Sequence, residues 1–269
     1  MKNLNLDYIR NEYMNFTISA TTDIGIKKSV NQDSLFVRKI STQTGTMVFA
    51  VLCDGMGGLK KGEVASASLV KAFSEWMYTV LSPLSQRLLE DHIIKEQWIS
   101  IITSQNEKIR AYSKQEDCLV GSTITALLIT EPRYFLLNIG DTRAYEISEG
   151  LKQLTVDHTV IADEIERRNI TLEQAKNAPI RNVLTKCVGV SETVYPDMFF
   201  GETKKNVVYM LCSDGFRHHI TADEIAKYLY SGNDVDDTEM KRMEGYLVDL
   251  NKQRGETDNI SVITIATGK

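Results

Sequence analysis

Apolar and polar residues alternate with period two over 16–23 (FTISATTD), the pattern of a half-buried strand, and the run stops at Gly25. SLFVRKI (34–40) and TMVFAVLCD (46–54), rich in β-branched and aromatic residues, flank the turn signal STQTG and predict two more strands. The period then changes. EVASASLVKAFSEWMYTVL (63–81) places Val70, Phe73, Met77 and Val80 on one helical face. KEQWISIITSQNEKIRAYSKQ (95–115) does the same with Trp98, Ile101, Ile102, Ile109 and Tyr112, and Pro83 lies in the link. Strand signals return in GSTITALLIT (121–130), RYFLLNIGD (133–141) and TRAYEIS (142–148), with turns at Glu131-Pro132 and Gly140-Asp141. Residues 158–181 are charged and helix-like without a strong stripe, which predicts a flap. A buried strand (206–215), two helices (222–231 and 239–252) and a closing strand (259–268) complete the pattern.

This order does not alternate strand and helix, so a doubly wound parallel sheet is disfavoured. An α+β fold of mostly antiparallel strands with segregated helices fits better. The 269 residues, 42% hydrophobic and 25% charged, suffice for a packed core without staples. A net charge of −5 leaves no basic surplus to neutralise phosphates, so no nucleic-acid partner is expected. Cys53, Cys118, Cys187 and Cys212 form no CxxC pair; Cys53 and Cys212 sit in apolar runs and read as reduced core residues. MKNLNLDYIRNEYMNF lacks the apolar stretch of a signal peptide, and no run is long enough to span a membrane. The expectation is a soluble, cytoplasmic protein.

The chemistry lies in the aspartates. Apolar strands end in Asp54, Asp141 and Asp214, and Asp258 stands just before another. A carboxylate at the mouth of an apolar run is costly to bury unless something positive meets it. Several such groups brought together with those of TTDIGIKKSVNQDS (21–34) repel one another, and a hard divalent cation removes the conflict. Oxygen donors without thiolate or clustered imidazole suit Mg2+ or Mn2+ rather than zinc. Gly55, Gly57 and Gly58 after Asp54 would let a backbone carbonyl approach such an ion while the chain turns away.

Eight segments carry a family resemblance: TTDIGIKKSVNQDS, VLCDGMGGLKKGE, GSTITALLI, NIGDTRAY, LKQLTVDHT, NVLTKCVG, MLCSDGF and TDNISVI. In this order, over roughly residues 18 to 267, they resemble the PPM family, the metal-dependent type-2C serine/threonine protein phosphatases, in its short bacterial form. The resemblance implies a four-layer α/β/β/α sandwich, two mostly antiparallel sheets flanked by helix pairs, as one domain over 16–269 after an N-terminal extension at 1–15. It implies a site for two Mg2+ or Mn2+ ions in a cleft. Asp54 would bridge both ions, the Gly55 carbonyl would join one, Asp214 and Asp258 would ligate the other, and Asp33 would hold a metal-bound water. That water, made nucleophilic, would attack a phosphomonoester in line.

Departures from the family pattern matter. Lys28 stands where an arginine usually grips the substrate phosphate, supplying charge without the bidentate fork; the other reading makes Lys27 and Lys28 plain surface charges. Gln32 replaces a common glutamate, and Met56 occupies the place of a histidine proposed as general acid in eukaryotic relatives. His218 stands where a second aspartate would help Asp141 hold a third, weaker metal. Either His218 and Asp141 make a weak or Mn2+-selective third site, or His218 is a loop histidine and Asp141 caps a turn paired to Arg143. His92, His158 and His219 match no ligand spacing. The implied function is hydrolysis of phosphoserine and phosphothreonine in proteins, opposing a serine/threonine kinase, by a monomer with no membrane partner. Two alternatives stand beside it: a weakly active or pseudo-phosphatase that binds phosphoproteins, and a hydrolase of small phosphorylated metabolites.

Overall fold

The computed structural model describes residues 14–42, 45–57, 61–81, 89–167, 170–171, 174, 183–230 and 236–268. Its strands are β1 (Phe16–Asp23), β2 (Asp33–Thr42), β3 (Gly45–Gly57), β4 (Val120–Ser122), β5 (Ile124–Ile129), β6 (Arg133–Ile139), β7 (Arg143–Ile147), β8 (Leu151–Gln153), β9 (Asp197–Glu202), β10 (Val208–Cys212) and β11 (Ile260–Thr267). Its helices are α1 (Gly62–Trp76), continued by a wider π-turn over Met77–Leu81, α2 (Asp91–Gln115), α3 (Val160–Glu166), α4 (Asp214–Arg217), α5 (Ala222–Leu229) and α6 (Asp237–Gln253). Among the described residues every strand pairing is antiparallel. One sheet runs β1-β11-β10-β7-β8 and the other β2-β3-β5-β6-β9, with β4 attached to β3.

Period-two alternation explains the layers. Along β3, Met47, Phe49, Val51 and Cys53 face the helices, while Val48, Ala50 and Leu52 face the second sheet. Both faces are buried, so the strand reads as one continuous apolar run. Three cores result. Leu69, Phe73, Trp76, Trp98 and Ile102 of α1 and α2 pack on the outer face of the β3 sheet. Phe16, Leu127, Leu136, Tyr209 and Ile263 fill the space between the sheets. Ile225, Leu229, Leu247 and Val248 of α5 and α6 cover the outer face of the β10 sheet. The expected α/β/β/α sandwich is the observed one. Trp98 is fully buried against Phe49, Phe73 and Trp76 at ring separations of 5.6–6.0 Å, so Trp98→Ala removes about 3–5 kcal/mol.

Several expectations shift. The buried stripe of α1 is Ala65, Leu69, Phe73 and Trp76, with Met77 and Leu81 beyond it; Val70 and Val80 only flank it. The second helix starts at Asp91, whose carboxylate suits the positive end of the helix. Helix α4 was not predicted, nor were β8 and β9: β8 has three residues, and β9 is an edge strand, half-buried up to the exposed Glu202, whose pairing with β6 makes it a strand. Pro83 and most of 168–182 in the predicted flap lie outside the described residues, and so do residues 1–13 of the proposed extension. Met14 and Asn15 join the sandwich: Met14 is buried and donates its N–H to Glu131, and the Asn15 carbonyl accepts from Gly268. No helix among the described residues is long and apolar enough to cross a membrane.

Candidate metal centre

Parity puts the first two acids at one end of the space between the sheets. Asp54 follows Val48, Ala50 and Leu52 on the inward face of β3, and Asp33 precedes Leu35 and Val37 on the inward face of β2. The antiparallel register sets Asp33 directly opposite Asp54. Like charges in that relation are destabilising on their own. The inter-sheet core turns polar toward this end, where Thr125, Asn138, Thr142, Ser213 and Ser261 are buried.

Two further acids come from the other sheet. Asp214 opens α4 directly after β10, and Asp258 lies in the turn that leads into β11. Asn259 fastens the remaining wall. Its Nδ2 donates to the carbonyls of Ile24 (3.0 Å) and Val30 (3.3 Å), and its Oδ1 accepts from the Gln32 N–H (2.8 Å), so one amide brackets the whole 24–32 loop. Gly25, at φ +78°, passes so close that a Cβ there would lie 2.1 Å from the Asp258 carbonyl. Lys28, carried by this loop, reaches the Asp258 carboxylate at 2.8 Å. Burial works against the charge of this lysine, but Asp258, Asp54 and Asp214 together hold its pKa above the usual value.

The acids meet in a cleft of about 260 Å³, lined among others by Lys28, Asp54, Gly55, Asp141, Asp214 and Asp258. Among the described residues neither carboxylate oxygen of buried Asp33 has a hydrogen-bond partner. Burial raises its pKa to about 7; the nearby Ser261 and Ser213 hydroxyls pull it down without making a well-formed bond, and Asp214 and Asp258 push it up. Desolvation, then the charges of Asp33, Asp214, Asp141 and Asp258, hold Asp54 well above the carboxylate range. Among the described residues no three His, Cys, Asp or Glu side chains close tightly enough to hold an ion by themselves. The donor set nonetheless fits hard divalent cations: it is all oxygen, carries an orphaned buried carboxylate, and among the described residues has one lysine against four acids.

The backbone at Asp54 is clamped. Its N–H donates to Thr123 Oγ1 at 3.0 Å, and its carbonyl accepts from the Thr123 N–H and the Ser122 hydroxyl. Contrary to the sequence expectation, the strand does not break at Asp54 but runs on to Gly57, paired with β4. Gly55 is needed because α1 starts against it: a Cβ there would lie 2.3 Å from the Gly62 carbonyl and 2.6 Å from that of Gln32. Met56 and Gln32 line the cleft, and the Gln32 amide faces Glu63 at 3.5 Å.

The remaining candidates are arranged differently from expectation. His218 Nδ1 lies 3.1 Å from Glu256, and its Nε2 lies 3.5 Å from Asp214, so the ring links an acid of the cleft to a buried carboxylate behind it. Burial opposes ionisation of Glu256, but His218 and the N–H groups of Asp258 and Thr257 bring its pKa to about 2. Arg143 pairs with Asp157 through two nitrogens at 2.6 and 2.8 Å, not with Asp141. Asp141, with its pKa raised by burial to about 6, faces Arg217 instead. His158 is buried; its Nδ1 accepts from the Gly140 N–H and its Nε2 meets Asp197, a structural link to the turn that carries Asp141. Sequence reasoning passed over Asn259, Ser122, Thr123, Glu256 and Arg217. Their signal was polar residues beside the aspartates of otherwise apolar strands.

A model of the family described as Protein phosphatase 2C matches residues 25–238. A Streptococcus pyogenes protein described as protein phosphatase 2C-type is 32% identical over 92% of this chain and 96% of its own length. The crystal structure of serine/threonine phosphatase Stp1 from Staphylococcus aureus superposes with a TM-score of 0.78 at 27% identity, covering 93% of this chain and 94% of its own. The catalytic domain of the serine/threonine protein phosphatase PstP, solved with two manganese ions, shares the fold at a TM-score of 0.77 and 24% identity, over 95% of this chain and 100% of its own. The strand-end acids, the antiparallel sandwich and these matches agree: the chain belongs to the protein phosphatase 2C family.

Proposed function

We propose that this protein phosphatase hydrolyses phosphoserine and phosphothreonine in protein substrates with two divalent cations held by Asp33, Asp54, the Gly55 carbonyl, Asp214 and Asp258. The observation that carries the reading is the pair Asp33–Asp54, opposed in register with the Asp33 oxygens unpartnered among the described residues, at a cleft where one described lysine answers four carboxylates. Two such cations supply Lewis acidity and a water acidified enough to act as nucleophile near neutral pH. The protein's own part is position and charge. Asp54 is held by Ser122 and Thr123, and Asp214 is oriented by His218 and Glu256. Lys28 offers its ammonium to the phosphate from the loop that Asn259 pins. Met56 cannot move a proton, so the departing alkoxide takes its proton from solvent.

Either Mg2+ or Mn2+ fits an all-oxygen site, and the two manganese ions of PstP favour Mn2+. The reading carries with it a cytoplasmic monomer that opposes a serine/threonine kinase. The pseudo-phosphatase alternative is disfavoured because Asp54, Asp214 and Asp258 line one cleft and buried Asp33 stands directly opposite Asp54. The test is turnover of phosphothreonine peptides and a small aryl phosphate with Mn2+, a chelator control and Asp214→Ala. Peptide hydrolysis lost with chelator and in the variant is the expected result. Bound Mn2+ with no turnover of either substrate overturns the enzyme, and turnover of the aryl compound alone points to a metabolite hydrolase.

A further inference from the structure

We infer that Arg217 is a built-in cation for Asp141, so that this end of the cleft takes no divalent ion and metal loads only among Asp33, Asp54, Asp214 and Asp258. The inference rests on the two-cation reading above and adds a limit to it. Asp141 lines the same cleft as Asp54 and Asp214 and is as buried as Asp33, so it would be a natural ligand for a further ion. Its charge is already answered. Arg217 Nη2 donates to the Asp141 backbone carbonyl at 3.0 Å and lies 3.5 Å from its carboxylate Oδ2, gripping main chain and side chain together.

The guanidinium has no freedom to withdraw. Arg217 is the last residue of α4, three positions after Asp214, and its side chain is 14% exposed. Behind it Asp157 Oδ2 lies 3.9 Å away, and Asp157 is held by the two-nitrogen contact from Arg143. Asp141 and Asp157 therefore face Arg143 and Arg217, two charges against two. A divalent ion drawn to Asp141 would meet a fixed positive charge on the far side of the carboxylate. His218 offers no substitute ligand there, because its two ring nitrogens are directed to Glu256 and Asp214. Asp141 thus serves as the anchor that joins the β6–β7 turn to α4, with Arg217 as its permanent counter-ion.

The test is the count of bound Mn2+, read by electron paramagnetic resonance of the free ion up to millimolar Mn2+, in the intact protein. Two ions are expected in the wild type, two in Asp141→Asn, and three in Arg217→Gln, which frees Asp141 while keeping a side-chain donor for its carbonyl. Three ions in the wild type that fall to two in Asp141→Asn overturn the inference, as does a count of two in a folded Arg217→Gln. Should Arg217→Gln fail to fold, the comparison of wild type with Asp141→Asn decides alone. A wild type that binds no Mn2+ at all sinks the two-cation reading itself, a result distinct from a count of three.

Discussion

At one end of the site, among the described residues, Asp33, Asp54, Asp214 and Asp258 share a single lysine, while at the other Asp141, on the same cleft, and Asp157, outside it, face Arg143 and Arg217. The residue type is the same and the electrostatics are opposite. Where charges balance, an aspartate is a structural part, held by fixed guanidinium groups and contributing to a turn. Where they do not, protons or an added cation must relieve the excess, and the proposed function assigns that place to the cations. Among the described residues, what separates the ends is the placing of arginines, which arrive from β7 and α4 on one side and from no described element on the other.

Asp54→Asn breaks the unbalanced end most directly. Turnover should fall by roughly three orders of magnitude, about 4 kcal/mol of transition-state stabilisation. In the absence of metal the same variant should melt higher than wild type, since it removes one of two opposed carboxylates, and Mn2+ should no longer raise its melting temperature. A variant with wild-type turnover would contradict the assignment. At the balanced end the prediction inverts. Asp157→Ala leaves the half-buried Arg143 without its carboxylate and should cost about 2–3 kcal/mol in denaturant unfolding, while the rise in melting temperature caused by Mn2+ persists. Loss of that rise would mean that the two ends are not separate.

Burial of the acids sets a pH dependence at both ends. Asp33 titrates at about 7 and Asp141 at about 6 in the folded chain, against an ordinary 3.8, and Asp54 is raised as well. The folded state thus keeps protons that the unfolded state releases, and the metal-free protein loses stability as pH rises from about 4 to about 7. Glu224 and Glu256, held near 2, add stability that is lost only below this window. His158, lowered by burial, acts in the opposite sense, but one imidazole stands against three carboxylates. Melting curves with chelator should therefore fall by several degrees from pH 5 to 7 and flatten with saturating Mn2+; a chelated protein that gains stability over that range refutes the burial argument. The smallest effect belongs to Lys28. Lys28→Met should raise KM about tenfold with little change in kcat, and Lys28→Arg should lower it. Equal KM values in all three proteins would leave Lys28 as a partner of Asp258 only.

Much of this was legible in the chain. The alternation in 16–23, the unbroken apolar run of β3, the helical stripes of α1 and α2, and the aspartates at strand ends follow from periodicity and the cost of burying charge, both local properties. Asp33, Asp54, Asp214 and Asp258 could be named from their places in the motifs. The partners of those residues could not. That Arg217 and not Arg143 meets Asp141, that His218 leans on Glu256, and that Asn259 pins the loop of Lys28 are facts about groups 38 to 235 positions apart.

The amino-acid order by itself determined most of the strands and helices, though not β8, β9 or α4, and which acids stand at their ends, because side-chain period and desolvation act within a few residues. Only the tertiary structure decided which charges are answered and which are not. Pairing depends on the register of β2 with β3 and on the placement of α4 beside the β6–β7 turn, and a guanidinium reaching one carboxylate instead of another is a matter of a few ångströms that no local pattern encodes.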